Sequence, residues 1–227
     1  MKIGILQTGH APNELWDSQG DFKDLFERLL DGQGFAFSTW NVVDMDFPAS
    51  INQSDGWLIT GSKHAAYEDH PFIPPLEDII RAIYAAGIPL VGICFGHQII
   101  AQALGGKVEK FAGGWAVGRQ TYDWEGEEVA LNAWHQDQVV ERPAHAKVVA
   151  TNAFCENAAL VYGKTAFTVQ PHPEFDADFV AGLAQYRGPG NVPDIQLAEV
   201  SENLPTPVDN SRLAKQIAMF FKARALV

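Results

Sequence analysis

The chain has 227 residues, 47% of them hydrophobic, which is enough to bury a full core and fits one large α/β domain over residues 1–227 better than two small ones. Its 16 Lys plus Arg against 28 Asp plus Glu give a formal charge of −12, which argues against nucleic acid and anionic membrane surfaces as partners. Cys94 and Cys155 allow at most one bridge, and Met1 to Leu6 runs into polar sequence without a secretory pattern, so free thiols and a cytoplasmic location are expected.

In chain order, Lys2 to Leu6 reads as a buried strand, and Phe22, Leu25, Phe26, Leu29 and Leu30 as one helix face ending near Gly32. Phe35 to Val43 is β-prone and Trp57 to Thr60 is a third short strand. Leu76, Ile79, Ile80 and Ile83 form a helical stripe closed by Gly87. Ala82 to Phe95, the longest nearly apolar stretch, is too short for a bilayer span and is broken by Gly87, Pro89 and Gly92. Apolar Ile88 to Ile93 is a strand and His97 to Leu104 a helix that stops at Gly105. The βα alternation predicts a central, mostly parallel sheet with helices on both faces and ligands at the carboxyl ends of its strands.

After Gly106 the helices give way to strand candidates at Lys107 to Phe111, Val117 to Tyr122, Val129 to Trp134 and Lys147 to Thr151, an antiparallel extension. Ala159 to Tyr162 and Thr165 to Gln170 flank Gly163-Lys164, read as a two-residue turn. The tail has a helical patch at Phe179, Val180 and Leu183, a break at Gly188-Pro189-Gly190, and a last helix from about Ser211 to Ala223.

Two motifs carry chemistry. Gly92-Ile93-Cys94-Phe95-Gly96 places a cysteine where a strand turns sharply into a helix. Such a turn strains the nucleophile's backbone and needs small residues two positions to either side. A helix N-terminus behind the sulfur favours the thiolate. The second motif is Pro171-His172-Pro173-Glu174. Residues two apart in extended chain point the same way, so Glu174 can fix the His172 tautomer while His172 serves Cys94 as base. An oxyanion hole would use the Phe95 amide and the loop Thr60-Gly61-Ser62-Lys63.

These residues resemble the class I, triad-type, glutamine amidotransferases, whose signature is a GxCxGxQ elbow followed much later by HPE. Gly92, Cys94, Gly96, Gln98, His172, Pro173 and Glu174 all match, and the resemblance covers Trp57 to Phe175. It implies a flavodoxin-like amidotransferase fold, a γ-glutamyl thioester at Cys94, release of ammonia or an amine, and hydrolysis to glutamate. It further implies His172 as base then acid and Glu174 as its orienter, and no cofactor is expected. Gln98 would lie beside the glutamine subsite, with His135 and Gln136 lining the substrate pocket. Gly61-Ser62-Lys63 departs from the family's usual Gly-Gly-Pro, so the oxyanion loop is expected to differ in shape. The chain ends about where the amidotransferase domain of the family ends, so the expected acceptor is water or a separate ammonia-accepting partner protein. Thr60-Gly61, the loop bearing Tyr67 and His135-Gln136-Asp137 look closer to the stand-alone γ-glutamyl peptidases, which cleave glutathione-like bonds.

Other signals are read as structural. His97 begins the helix and should point away from the sulfur, His64 and His70 read as loop residues, and Cys155 has no elbow. No HExxH or paired CxxC spacing supports a catalytic metal. Trp40, Trp57, Trp115 and Trp134 are assigned to packing. Two rival functions remain. One is a cysteine variant of the α/β-hydrolase plan, which the acid's position after the histidine disfavours. The other is a catalytically silent module that binds glutamine or a partner.

Overall fold

The structure, a computed structural model, describes residues 1–225. In chain order the elements are β1 (Lys2–Leu6), α1 (Asn13–Gln19), α2 (Phe22–Leu29), β2 (Ala36–Trp40), β3 (Gly56–Ile59), α3 (Ile73–Ala85), β4 (Leu90–Ile93) and α4 (Phe95–Ala103). There follow β5 (Lys107–Lys110), β6 (Ala116–Trp124), β7 (Glu127–His135), β8 (Asp137–Glu141), β9 (Lys147–Thr151), β10 (Ala159–Tyr162), β11 (Ala166–Val169), α5 (Ala177–Tyr186), α6 (Asp194–Asn203) and α7 (Asn210–Ala223).

The central sheet has nine strands in the order β2-β1-β3-β4-β11-β10-β9-β6-β7. The run from β2 to β11 is parallel and the run from β11 to β7 antiparallel. β5 and β8 pair separately as a small antiparallel sheet. The expected parallel core with an antiparallel extension is therefore present.

Alternation along the parallel strands explains why both faces must be covered. Ile3, Ile5, Leu58, Val91, Ile93, Phe167 and Val169 pack with Phe26 of α2 and with Leu213, Ile217, Phe220 and Phe221 of α7. Their neighbours Leu6, Trp57, Ile59, Leu90 and Ala166 point the other way, onto Leu76, Ile80 and Ile83 of α3 and Ile99 and Ile100 of α4. Every one of these side chains is fully buried or within 1% of it, so each strand contributes apolar surface to two layers, as a doubly covered parallel sheet requires.

Three elements escaped the sequence reading. α1 and α6 are mostly polar and bury few residues, Leu15 in the first and Val200 in the second, so neither shows a broad apolar stripe. β8 follows β7 after Gln136 alone and has no strand assigned to it in the sequence, where the preceding strand is expected over Val129 to Trp134. The β10–β11 connection also differs. Tyr162 pairs with Ala166, leaving three intervening residues rather than two, because the Thr165 amide closes a turn onto the Tyr162 carbonyl at 3.1 Å.

Candidate active site

Cys94 stands between the last residue of β4 and the first of α4 with φ 54° and ψ −103°. A non-glycine residue pays about 1–3 kcal/mol for such a backbone, so the surroundings must impose it. They do so from both sides: the Cys94 amide donates to the Val169 carbonyl of β11 at 2.9 Å, and its carbonyl accepts from the Gln98 amide at 3.0 Å. The flanking glycines are steric necessities. A Cβ at Gly92 would meet the Gly96 carbonyl oxygen at 2.5 Å, and one at Gly96 would collide with the Ile59 carbonyl oxygen. The Gly96 amide instead approaches β3 and donates to the Thr60 carbonyl at 3.1 Å.

His172 arrives from the end of β11. Its amide donates to the Asn132 carbonyl of β7 at 2.8 Å, forming an isolated bridge, and the Asn132 side-chain amide donates to the Phe175 carbonyl at 3.0 Å. Asn132 thus holds both ends of the His172–Phe175 segment. The His172 ring stacks on Phe175 with centroids 3.8 Å apart and planes 4° from parallel, while Nδ1 donates to Glu174 Oε1 at 2.7 Å. The side chains of this pair are 4% and 0% exposed. Burial disfavours the charged ring, but the Glu174 carboxylate and then Cys94, by charge and by hydrogen bond, outweigh it and raise the His172 pKa from 6.5 to about 10.

Gly61 completes the enclosure. A Cβ there would lie 3.0 Å from His172 Cε1 and 3.9 Å from the Cys94 Cβ, so Gly61 borders both side chains. Thr8 Oγ1 lies 3.0 Å from the Thr60 carbonyl and 3.0 Å from the Gly61 carbonyl, fixing the loop after β3 to the loop after β1. Ser62 Oγ accepts from the His64 amide at 3.1 Å. The Phe95 amide heads α4, where first-turn donors have no intrahelical acceptor.

Gln98, expected beside a substrate subsite, ties α4 to β8 and to the end of β11 through its side-chain amide. Its Nε2 donates to the Asp137 carbonyl at 2.9 Å and to Gln170 Oε1 at 3.1 Å. His135 is buried with Nδ1 donating to the Asp137 carbonyl at 3.1 Å, and burial lowers its pKa to about 3, so the ring is neutral. Its Nε2 has no protein partner among the described residues. Gln136 is half-buried; its carbonyl accepts from the Phe111 amide at 3.1 Å and its side-chain Nε2 lies 3.5 Å from the Phe111 carbonyl. His97 is engaged by β11: Nδ1 lies 2.8 Å from Thr168 Oγ1, and burial lowers its pKa to about 3. Cys155 is buried, and burial pushes its thiol up to about 12, which leaves it unreactive.

Two residues that brace the site have no signal in the sequence. Asn132 and Gln170 act through contacts distant in the chain, for which no local spacing exists. Tyr67, 46% exposed, donates from its hydroxyl to Asp137 Oδ1 at 3.0 Å and so straps the loop after β3 to the start of β8. The phenol is pushed up to about 12, by burial first and then by Asp137.

The family model for class I glutamine amidotransferases matches residues 18–178, which include the elbow, the strap and the His172–Glu174 segment. The chain belongs to the class I glutamine amidotransferase family. Among curated relatives of this amidotransferase-family chain, γ-glutamyl peptidase 4 of Arabidopsis thaliana is 33% identical over 177 residues, covering 71% of this chain and 70% of the relative. A glutamine amidotransferase-like protein of Schizosaccharomyces pombe is 29% identical over 241 aligned positions, covering 96% and 97%. The solved glutamine amidotransferase of Methylobacillus flagellatus superposes with a TM-score of 0.75 at 22% identity, covering 99% of this chain and 92% of the other, a likeness of fold. The chain thus falls in the class I glutamine amidotransferase and γ-glutamyl peptidase-like hydrolase family. Among the described residues no helix is long and apolar enough to cross a membrane.

Proposed function

We infer that the protein hydrolyses a γ-glutamyl amide through a γ-glutamyl thioester on Cys94. The observation that carries this reading is the buried 2.7 Å His172–Glu174 pair beside a cysteine held at positive φ at the head of α4. Glu174 holds His172 with Nδ1 protonated and stabilises its imidazolium beside the Cys94 sulfur.

The Cys94 sulfur attacks the γ-carbonyl carbon, and the electron pair of the C=O bond moves onto oxygen. The Phe95 amide and the amides of Gly61-Ser62 stabilise that oxyanion. Collapse breaks the C–N bond as the His172 imidazolium protonates the departing nitrogen, which leaves as ammonia or an amine. A water then attacks the thioester, giving its proton to His172, and glutamate departs with Cys94 restored. His135, whose unpartnered Nε2 is buried, and Gln136 contribute to the γ-glutamyl pocket, with Gln98 holding its floor.

The likeness to γ-glutamyl peptidase 4 favours a γ-glutamyl peptide of glutathione type over glutamine as substrate. A second reading is ammonia transfer to a separate acceptor. It rests on the 33% identity over 167 residues to GMP synthase of Pyrobaculum aerophilum, of which this chain covers 31%. Glutamate release from glutathione and from glutamine, compared at equal enzyme, decides the order. Faster turnover of the peptide supports the peptidase reading, and release from neither overturns the hydrolase reading for the lone chain. Cys94→Ala is expected to release no glutamate from either while keeping its fold. A variant as fast as wild type would remove Cys94 from the mechanism.

A further inference from the structure

Outside the cysteine site, the loop between β3 and α3 gathers a second set of reactive side chains. His64, Glu68 and His70 each offer one ligand atom, and these atoms all lie within 4.8 Å of one another. His64 Nδ1 is 3.8 Å and His70 Nε2 2.9 Å from the same oxygen, Glu68 Oε2, with the two imidazole centroids 4.1 Å apart. In the sequence these histidines read as loop residues and match no HExxH spacing. The fold of the loop, closed by the Ala65 amide donating to Glu68 Oε2 at 3.0 Å, brings them together.

We propose that His64, Glu68 and His70 form a binding site for one divalent transition-metal ion of the Zn2+ type, held by two imidazole nitrogens and one carboxylate oxygen. Imidazole with carboxylate suits such an ion, whereas Mg2+ and Ca2+ favour all-oxygen shells. Metal bonds of about 2.0–2.2 Å in tetrahedral array require ligand separations of about 3.3–3.5 Å. The present spacing reaches that by small side-chain rotations. The three side chains are 23%, 48% and 32% exposed, which leaves room to adjust and a path for entry. Three protein ligands leave a fourth position for water.

The site lies directly behind both oxyanion elements. The His64 amide donates to Ser62 Oγ, and both histidines pack on Phe72, His70 with planes 19° apart. Phe72 in turn packs on Phe95, with centroids 6.1 Å apart. A bound ion therefore fixes the backing of Ser62 and of Phe95, and it holds the two ends of the segment that carries Tyr67.

The test uses chelator-stripped full chain with Cys94→Ala, so that the active-site sulfur contributes no ligand. Titration with ZnCl2 by calorimetry should show one equivalent bound. CoCl2 should give the visible absorption of low-coordinate nitrogen–oxygen cobalt without a sulfur charge-transfer band. Glu68→Gln and His70→Ala in this background should weaken binding by about 100-fold or more, since even residues outside the ligand set cost about 10–100-fold. Imidazole NMR on the chain with all three ligands intact gives an answer independent of those variants: only His64 and His70 should shift on adding Zn2+. No saturable binding, unchanged affinity in both variants, or shifts confined to other histidines would overturn the site. None of these outcomes touches the hydrolase reading, which is tested through Cys94.

Discussion

The geometry of Cys94 and His172 depends on their neighbours. Gly92 and Gly96 let Cys94 hold its positive φ, stacking on Phe175 orients the His172 ring, and Gly61 leaves room beside both. The raised His172 pKa has a definite sign for stability. A pair that favours the imidazolium stabilises the fold fully below the ordinary histidine value of 6.5 and loses that contribution as pH rises through about 10. Activity that needs the imidazolium falls along the same alkaline limb. Glu174→Gln keeps an acceptor but removes the charge, so the alkaline limb of kcat/KM should move to lower pH. A limb that stays in place would show that Glu174 does not set the His172 charge. Gly61→Ala places a methyl 3.0 Å from His172 Cε1, and steady-state kinetics should show kcat/KM reduced by about tenfold with the melting temperature little changed.

At the scale of elements, the motifs that lie within one strand–turn–helix or one extended segment were legible, because elbow and HPE chemistry are local in the chain. β1, α2, β3, α3, β4 and α4 were legible through apolar periodicity. α1 and α6 were not, since each is anchored by few buried side chains, and β8 was hidden by its abutment to β7. Asn132 and Gln170 had no signal in the sequence because their partners, Phe175 and Gln98, lie 43 and 72 residues away. The Tyr67–Asp137 strap likewise joins loops 70 residues apart. Tyr67→Phe removes only the hydroxyl, and initial-rate measurements should show KM rising several-fold with kcat changed less. Equal effects on both, or none, would mean that the strap does not shape the pocket.

For the whole molecule, a sheet covered on both faces lets β3, β4 and β11 present their carboxyl ends side by side, which is how residues 61, 94 and 172 meet. Phe167 shows how that scaffold is held: it is fully buried between Phe220 of α7, at 5.8 Å, and Trp124 of β6, at 6.3 Å. Phe167→Ala should cost about 3–5 kcal/mol by urea denaturation, with catalysis per folded molecule largely kept. A loss below about 1 kcal/mol would show that this layer collapses around the gap. The central claim, a working thiolate in a γ-glutamyl pocket, is tested most directly by intact mass after incubation with a glutamine-mimicking diazo-ketone. A single adduct on wild type that is absent from Cys94→Ala is the predicted result. An unmodified wild-type mass, or an adduct that persists in the variant, would contradict it.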